Sequence, residues 1–261
     1  MPLRLLLSSL LLFAVAALLA GRSAAADAAA VPPPLRMLVL ASAAMPLAEI
    51  RDDQVEAGLL KDLGERIARE SEMPLKLVVM PRNRVAEAFE HDQADLYCDT
   101  LPEWLPARLQ PLLQWSVPVN TNPQYVVSVA PRPAPQLWQQ MRGATVVTLL
   151  GYEYPKPPEL AQGFAEHLWE RSDVVTEDAM LRRLLMGRGD FGIVGAQSLN
   201  WFLRNNPRAH INIGMTLVSE PTRCALTRRA GFPGERVLQA IKRLGDHGEL
   251  QRLQRNYQPR P

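Results

Sequence analysis

The feature that most constrains this chain is an alternation of short apolar runs with helical periods, and it occurs twice. Residues 35–40 (LRMLVL), 75–80 (LKLVVM) and 95–98 (DLYC) read as strands. Between them, 58–71 places Leu59, Leu60, Leu63, Ile67 and Ala68 at helical spacing, and Val85, Ala86, Ala88 and Phe89 mark a second helix. A second unit begins after Pro123. It has strands at 125–129, 144–150 and 191–195, and helices at about 159–170 and 177–187 on the rows Leu160, Phe164, Leu168 and Met180, Leu184, Leu185. Strands alternating with helices in this way predict a parallel sheet with crossover helices, so the fold class is α/β with two units. The chain closes with a strand at 224–227, an amphipathic helix at 235–244 and a short helix at 249–257. That tail is too small for a core of its own and must pack on one of the two units; periodicity does not say which.

The first residues address the compartment. Arg4 is followed by a stretch, 5–20, that is apolar apart from Ser8 and Ser9, and then by small residues over 21–30. This is the layout of a secretory signal peptide. The Ala24-x-Ala26 pair predicts cleavage after Ala26, with Ala30 as the alternative. The apolar run is short of the about 20 residues a bilayer span needs, and no Cys stands at the cleavage zone to carry a lipid. A soluble periplasmic protein is expected. Loss of 1–26 removes Arg4 and Arg22 and leaves 27 basic residues against 27 acidic ones. That balance lacks the basic surplus of a nucleic-acid binder. The two cysteines, Cys98 and Cys224, fit either one disulfide or two buried thiols.

Catalytic signatures are missing. His91, His167, His210 and His247 lie far apart, without zinc-ligand spacing. There is no G-x-S-x-G elbow and no Gly-rich phosphate loop, and Gly187-x-Gly189 precedes a strand rather than following one. Asp99, Glu103 and Glu153 are the carboxylates available for acid–base work, and such residues are common in loops. The expectation is a protein that is not an enzyme and uses no metal or cofactor.

Several segments, in order, resemble the extracellular solute-binding protein family 3, the amino-acid-type periplasmic binding proteins of ABC transporters. Gly58-Leu59-Leu60-Lys61-Asp62-Leu63 is similar to that family's early helix start, and Pro81-Arg82-Asn83-Arg84-Val85 with Ala94-Asp95 to its second strand and helix. Trp115-Ser116-Val117-Pro118 resembles its aromatic-Ser-x-Pro signature. Arg142-Gly143-Ala144-Thr145-Val146, the run Met186–Gly187–Arg188–Gly189–Asp190–Phe191, and Asp246-His247-Gly248 through Tyr257 resemble its later blocks. The resemblance implies a type II periplasmic-binding-protein-like fold of two α/β lobes joined by a two-segment hinge. Lobe one would be 31–121 plus 223–261 and lobe two 122–222, with crossings near 121–124 and 219–223. A small-molecule ligand would sit between the lobes of a monomer, for uptake through an inner-membrane ABC permease. The same fold also serves as a periplasmic sensor or partner-binding module and, in a few proteins, as a dehydratase. The implied topology lays the strand of Cys224 antiparallel to that of Cys98, which favours the disulfide.

The family's ligand residues carry over only in part. Its carboxylate-binding Arg falls on Ala107 counted from the strand and on Leu109 counted from Trp115-Ser116, with Arg108 between them. Its ammonium-binding acid falls on Gly195. The first-loop aromatic is replaced by Ala44-Met45-Pro46, and the position that stacks on the ligand falls on Arg82. The expected cleft therefore offers Arg82, Thr100, Trp104 and Arg108 from lobe one and Tyr152 and Glu153 from lobe two, and the expected ligand is a small polar or anionic solute.

Overall fold

The structure is a computed structural model that describes residues 33–154, 157–218 and 220–257. The expected signal peptide, 1–26, lies outside the described residues. The chain opens with β1 (Leu35–Leu40), a hairpin of β2 (Glu49–Arg51) and β3 (Gln54–Ala57), helix α1 (Leu59–Glu70), β4 (Leu75–Met80), α2 (Val85–Glu90), β5 (Leu96–Thr100) and β6 (Leu113–Trp115). It continues through β7 (Gln124–Val129), β8 (Thr145–Leu149), α3 (Pro158–Ala165), β9 (Glu170–Val174), α4 (Glu177–Leu185), β10 (Phe191–Gly195), α5 (Ala196–Asn205) and β11 (Ile211–Val218). It ends with β12 (Arg223–Thr227), α6 (Gly234–Asp246) and α7 (Glu249–Tyr257).

Two five-stranded sheets result, in the orders β4-β1-β5-β12-β6 and β11-β7-β10-β8-β9. In the first, β1 pairs in parallel with β4 and β5, and the returning β12 runs antiparallel to β5 and β6. The chain therefore passes twice between the sheets, and the two passes touch through the bridge between Asn120 and Thr222. Each sheet is covered on both faces. On β1, Leu35, Met37 and Val39 face α1, α6 and α7, while Leu38 faces Val85 and Phe89 of α2, the period-two alternation of a strand. Burial of each such side chain is worth about 1.5–3 kcal/mol, which is why the central strands are nearly continuous apolar runs. The tail that periodicity left unplaced packs on the first lobe, with Val237, Ile241, Leu250 and Leu253 against Leu59, Leu63 and Ile67.

One helix is shorter than its apolar row suggests. The helix expected over about 159–170 stops at Ala165, and Glu170 already belongs to β9, which runs parallel to β8. Gly163 is the cause. It lies flush against the Trp169 indole, and a Cβ added there would come 1.7 Å from the ring. The chain turns back at His167 (φ 54°), so Leu168 no longer belongs to the helix.

The first sheet has a local irregularity beside the crossings. Arg223 pairs with Thr100 and Ala225 with Tyr97, so Cys98 and Asp99 together oppose Cys224 alone. This is a β-bulge, and Asp99 takes its left-handed conformation (φ 59°). Cys98 and Cys224 close a disulfide across it, S–S 2.01 Å.

Candidate functional site

The carboxyl ends of β1, β5 and β8 meet the crossing segments around a cavity between the two lobes. Strand ends of this kind are where open α/β sheets bind ligands. The first lobe contributes Ser42, Arg82, Tyr97, Asp99 and Trp104, the crossings contribute Asn122, Gln124 and Thr222, and the second lobe contributes Leu149, Tyr152 and Glu177. The space left for the centres of water molecules is about 90 Å³. One water needs roughly 10–15 Å³ on that measure, so the cavity suits a small molecule.

The bulge turns the Asp99 side chain towards the crossings. Its Oδ1 accepts from Asn120 Nδ2 (2.9 Å) and Thr222 Oγ1 (2.6 Å), while its Oδ2 accepts from no described residue. Burial pushes this carboxyl above its ordinary range, and the two neutral donors only partly oppose the shift. A non-glycine residue held at positive φ beside a cleft is the kind of local strain found at functional positions.

Glu177 approaches from the other lobe. It opens α4, whose N-cap Thr176 accepts from Ala179 N through Oγ1. The Glu177 Oε1 accepts from the backbone N–H of Gly195 at 2.8 Å. Burial raises this carboxyl too. The Ser198 hydroxyl and the Gly195 N–H favour its ionised form, and the nearby Asp99 charge disfavours it. The missing acid at Gly195 thus has a structural counterpart. A Cβ at Gly195 would fall 2.8 Å from Asn122 Nδ2, and Asn122 is needed where it is, since its Oδ1 accepts from Gln197 N at 3.0 Å. Glu177, at the neighbouring helix start, is an acid that lines this cavity from the second lobe.

Arg82, in the turn between β4 and α2, lays its guanidinium over the Tyr152 ring, 3.9 Å from the centroid. It also lies beside the buried Tyr97 hydroxyl, whose pKa is raised by burial in spite of the Arg82 charge. Trp104 meets Tyr152 edge-on with ring centres 6.1 Å apart. Tyr152 is held by its loop. Arg171 of β9 donates to the carbonyls of Leu149 (2.9 Å) and Tyr152 (2.7 Å), and the Tyr154 hydroxyl accepts from Leu149 N (2.9 Å). The Tyr152 hydroxyl is buried with only a loose contact to the Gln124 side chain, outside hydrogen-bond geometry. Burial pushes its pKa well up.

Of the residues expected from the sequence, the structure brings Arg82, Trp104 and Tyr152 to this cavity. Thr100 sits at the end of β5 but is fully buried, and its hydroxyl does not line the cavity. Arg108 and Glu153 border an outer hollow of about 580 Å³ that shares Arg82, Tyr97 and Trp104 with the inner one. Arg108 is exposed and paired with Glu90 at 2.7 Å. Sequence reasoning did not find Tyr97, Asn122, Gln124 or Glu177, and treated Asp99 as a loop carboxylate. The helix beginning at 177 was expected, but nothing along the chain told which cleft its start faces. Among the described residues no group of three His, Cys, Asp or Glu is arranged to hold a metal ion, and no helix is long and apolar enough to cross a membrane.

A scan of the sequence against family models gives no match, and a search of curated proteins gives none either. Solved structures do match. An ancestral arginine-binding protein bound to arginine superposes with a TM-score of 0.70 at 15% identity, over 87% of this chain and 99% of that one. The substrate-binding protein of an amino acid ABC transporter gives 0.66 at 16% identity, covering 85% and 98%. The GluR0 ligand-binding core from Nostoc punctiforme, in complex with (L)-glutamate, gives 0.66 at 16% identity, covering 86% and 99%. At these identities the likeness establishes the two-lobed periplasmic-binding-protein fold over nearly the whole length of each.

Proposed function

We propose that this chain is an exported solute-binding protein that captures a small polar solute in the cleft between its lobes. The carrying observation is the cavity itself, to which both lobes and both crossings contribute hydrogen-bonding, charged and aromatic groups. The named solved structures are binding proteins of the same fold, two of them bound to amino acids, which supports a binding role over catalysis. In this reading residues 1–26 direct export to the periplasm and are removed. Lobe one is 31–121 plus 223–261, lobe two is 122–222, and closure is a hinge motion at the two crossings. The protein works as a monomer and hands its ligand to an inner-membrane ABC permease. The cavity's charges, one guanidinium and two carboxylates, favour the polar solute over the anionic one.

A thermal-shift screen against amino acids, amines, organic acids and sugars tests this. A ligand at about 100 times its Kd adds about 2.7 kcal/mol of stability. A shift confined to one chemical class is the expected result, and Tyr152→Ala together with Trp104→Ala should abolish it. A shift that survives loss of both aromatics would place binding outside this cleft.

A further inference from the structure

We infer that the cleft takes a cationic head group, an amine or a guanidinium, held between Asp99 and Glu177 and beside Trp104, and that the ligand needs no carboxylate. This rests on the solute-binding reading and specifies its substrate class.

The two carboxylates reach the same cavity from opposite lobes. Neither is paired with a lysine or arginine among the described residues. Asp99 is held by an amide and a hydroxyl, and Glu177 by a backbone N–H and the Ser198 hydroxyl. Acids withdrawn from water without a counter-charge are unfavourable unless something supplies one. The Asp99 Oδ2, which accepts from no described residue, shows that hydrogen-bonding capacity inside the cavity is unspent. An ammonium or guanidinium satisfies all of these at once, since it is donor-rich and positive. Trp104 beside it adds cation–π attraction.

The complementary argument concerns what the cleft lacks. A carboxylate-bearing ligand asks for a guanidinium with its donors free. Among the described residues Arg82 is the one cation lining the cavity, and it is already stacked on Tyr152 and set beside the Tyr97 hydroxyl. Arg108 points outward and is engaged by Glu90. The charged and titratable groups facing the two acids are therefore Arg82, Tyr97 and Tyr152. Burial raises both acids above their ordinary range in the empty cleft. A cation entering between them displaces protons, so binding strengthens as pH rises, by up to about tenfold per pH unit for each proton released.

The test is calorimetric titration of the purified protein with two matched pairs, agmatine against arginine and cadaverine against lysine, together with glutamate, citrate and glucose. The decarboxylated member of at least one pair is expected to bind as tightly as the amino acid or more so, with affinity rising between pH 5 and pH 8. Asp99→Asn and Glu177→Gln should each weaken that binding by about 30-fold or more. Both variants keep the local backbone, because Asn tolerates the left-handed conformation, and a melting curve of each empty variant verifies folding. Binding of arginine or lysine without their decarboxylated partners overturns the inference and leaves the solute reading intact. Preferential binding of glutamate, citrate or glucose does the same. Full affinity in Asp99→Asn removes the assigned acid. Silence across the whole panel overturns the solute reading itself.

Discussion

Asp95 and Asp99 stand at the two ends of one strand, and the fold treats them in opposite ways. Asp95 is fully buried and completely answered. Its Oδ2 accepts from Arg36 N (3.0 Å) and Nε (2.8 Å), its Oδ1 accepts from Arg36 Nη2 (2.7 Å), and Arg229 Nη2 forms an ion pair with Oδ1 at 3.0 Å. Those bonds join β1, β5 and the segment after β12 into one unit. Asp99 has no cation, only an amide and a hydroxyl on one oxygen, and a backbone twisted to positive φ. A chain able to supply two arginines to one buried acid leaves another, four residues on, without any. The first acid belongs to the scaffold, and the second is the one we assign to the ligand.

The disulfide lies between these two acids, and removing it should have the largest effect. Cys98→Ser with Cys224→Ser opens a closed loop of 126 residues, for an expected loss of about 2–5 kcal/mol in denaturant unfolding. Asp95→Asn should come next, at about 2–3 kcal/mol, because it breaks charge-assisted bonds at both arginines. It should leave ligand affinity unchanged, and a loss of affinity at unchanged stability would erase the contrast.

Asp99→Asn should go the other way. The folded pKa of Asp99 is raised above the unfolded value of about 3.9. The group's favourable contribution is therefore full below about pH 4 and is lost as pH climbs through the raised folded value. The empty Asp99→Asn variant should melt above wild type at pH 8, with the gap closing towards pH 4. A lower melting temperature at pH 8 would make Asp99 a structural acid like Asp95. The smallest effect is expected at Tyr152→Phe. Its hydroxyl has no hydrogen-bond partner, so the empty protein should change by less than about 0.5 kcal/mol while ligand affinity falls measurably.

The fold was legible where strands are buried on both faces. The runs at 35–40 and 191–195 coincide with β1 and β10, central strands whose two buried faces demand continuous apolar sequence, and the run at 75–80 gave β4 although it lies at an edge. It was illegible at the other edge strands. β9 reads Glu-Arg-Ser-Asp-Val and carries no apolar period, since an edge strand shares only one side with its sheet. The β2–β3 hairpin, α5 and β11 were likewise unread. The site divides in the same manner. Arg82, Trp104 and Tyr152 stand out as large residues in loops beside strand ends. Glu177 and Asp99 owe their roles to a helix from the other lobe and to a bulge opposite Cys224, and both are products of pairing between distant parts of the chain. The glycine at 195 was visible, but that Asn122 fills the space a side chain there would need was not.

The most direct test of the central claim is a pH titration of the Asp99 and Glu177 carboxyl carbons by NMR, in the empty protein and with saturating agmatine. The account predicts midpoints above the ordinary carboxylate range in the empty cleft and a fall in both when the amine is bound. Ordinary midpoints that agmatine leaves unmoved at saturation would contradict it.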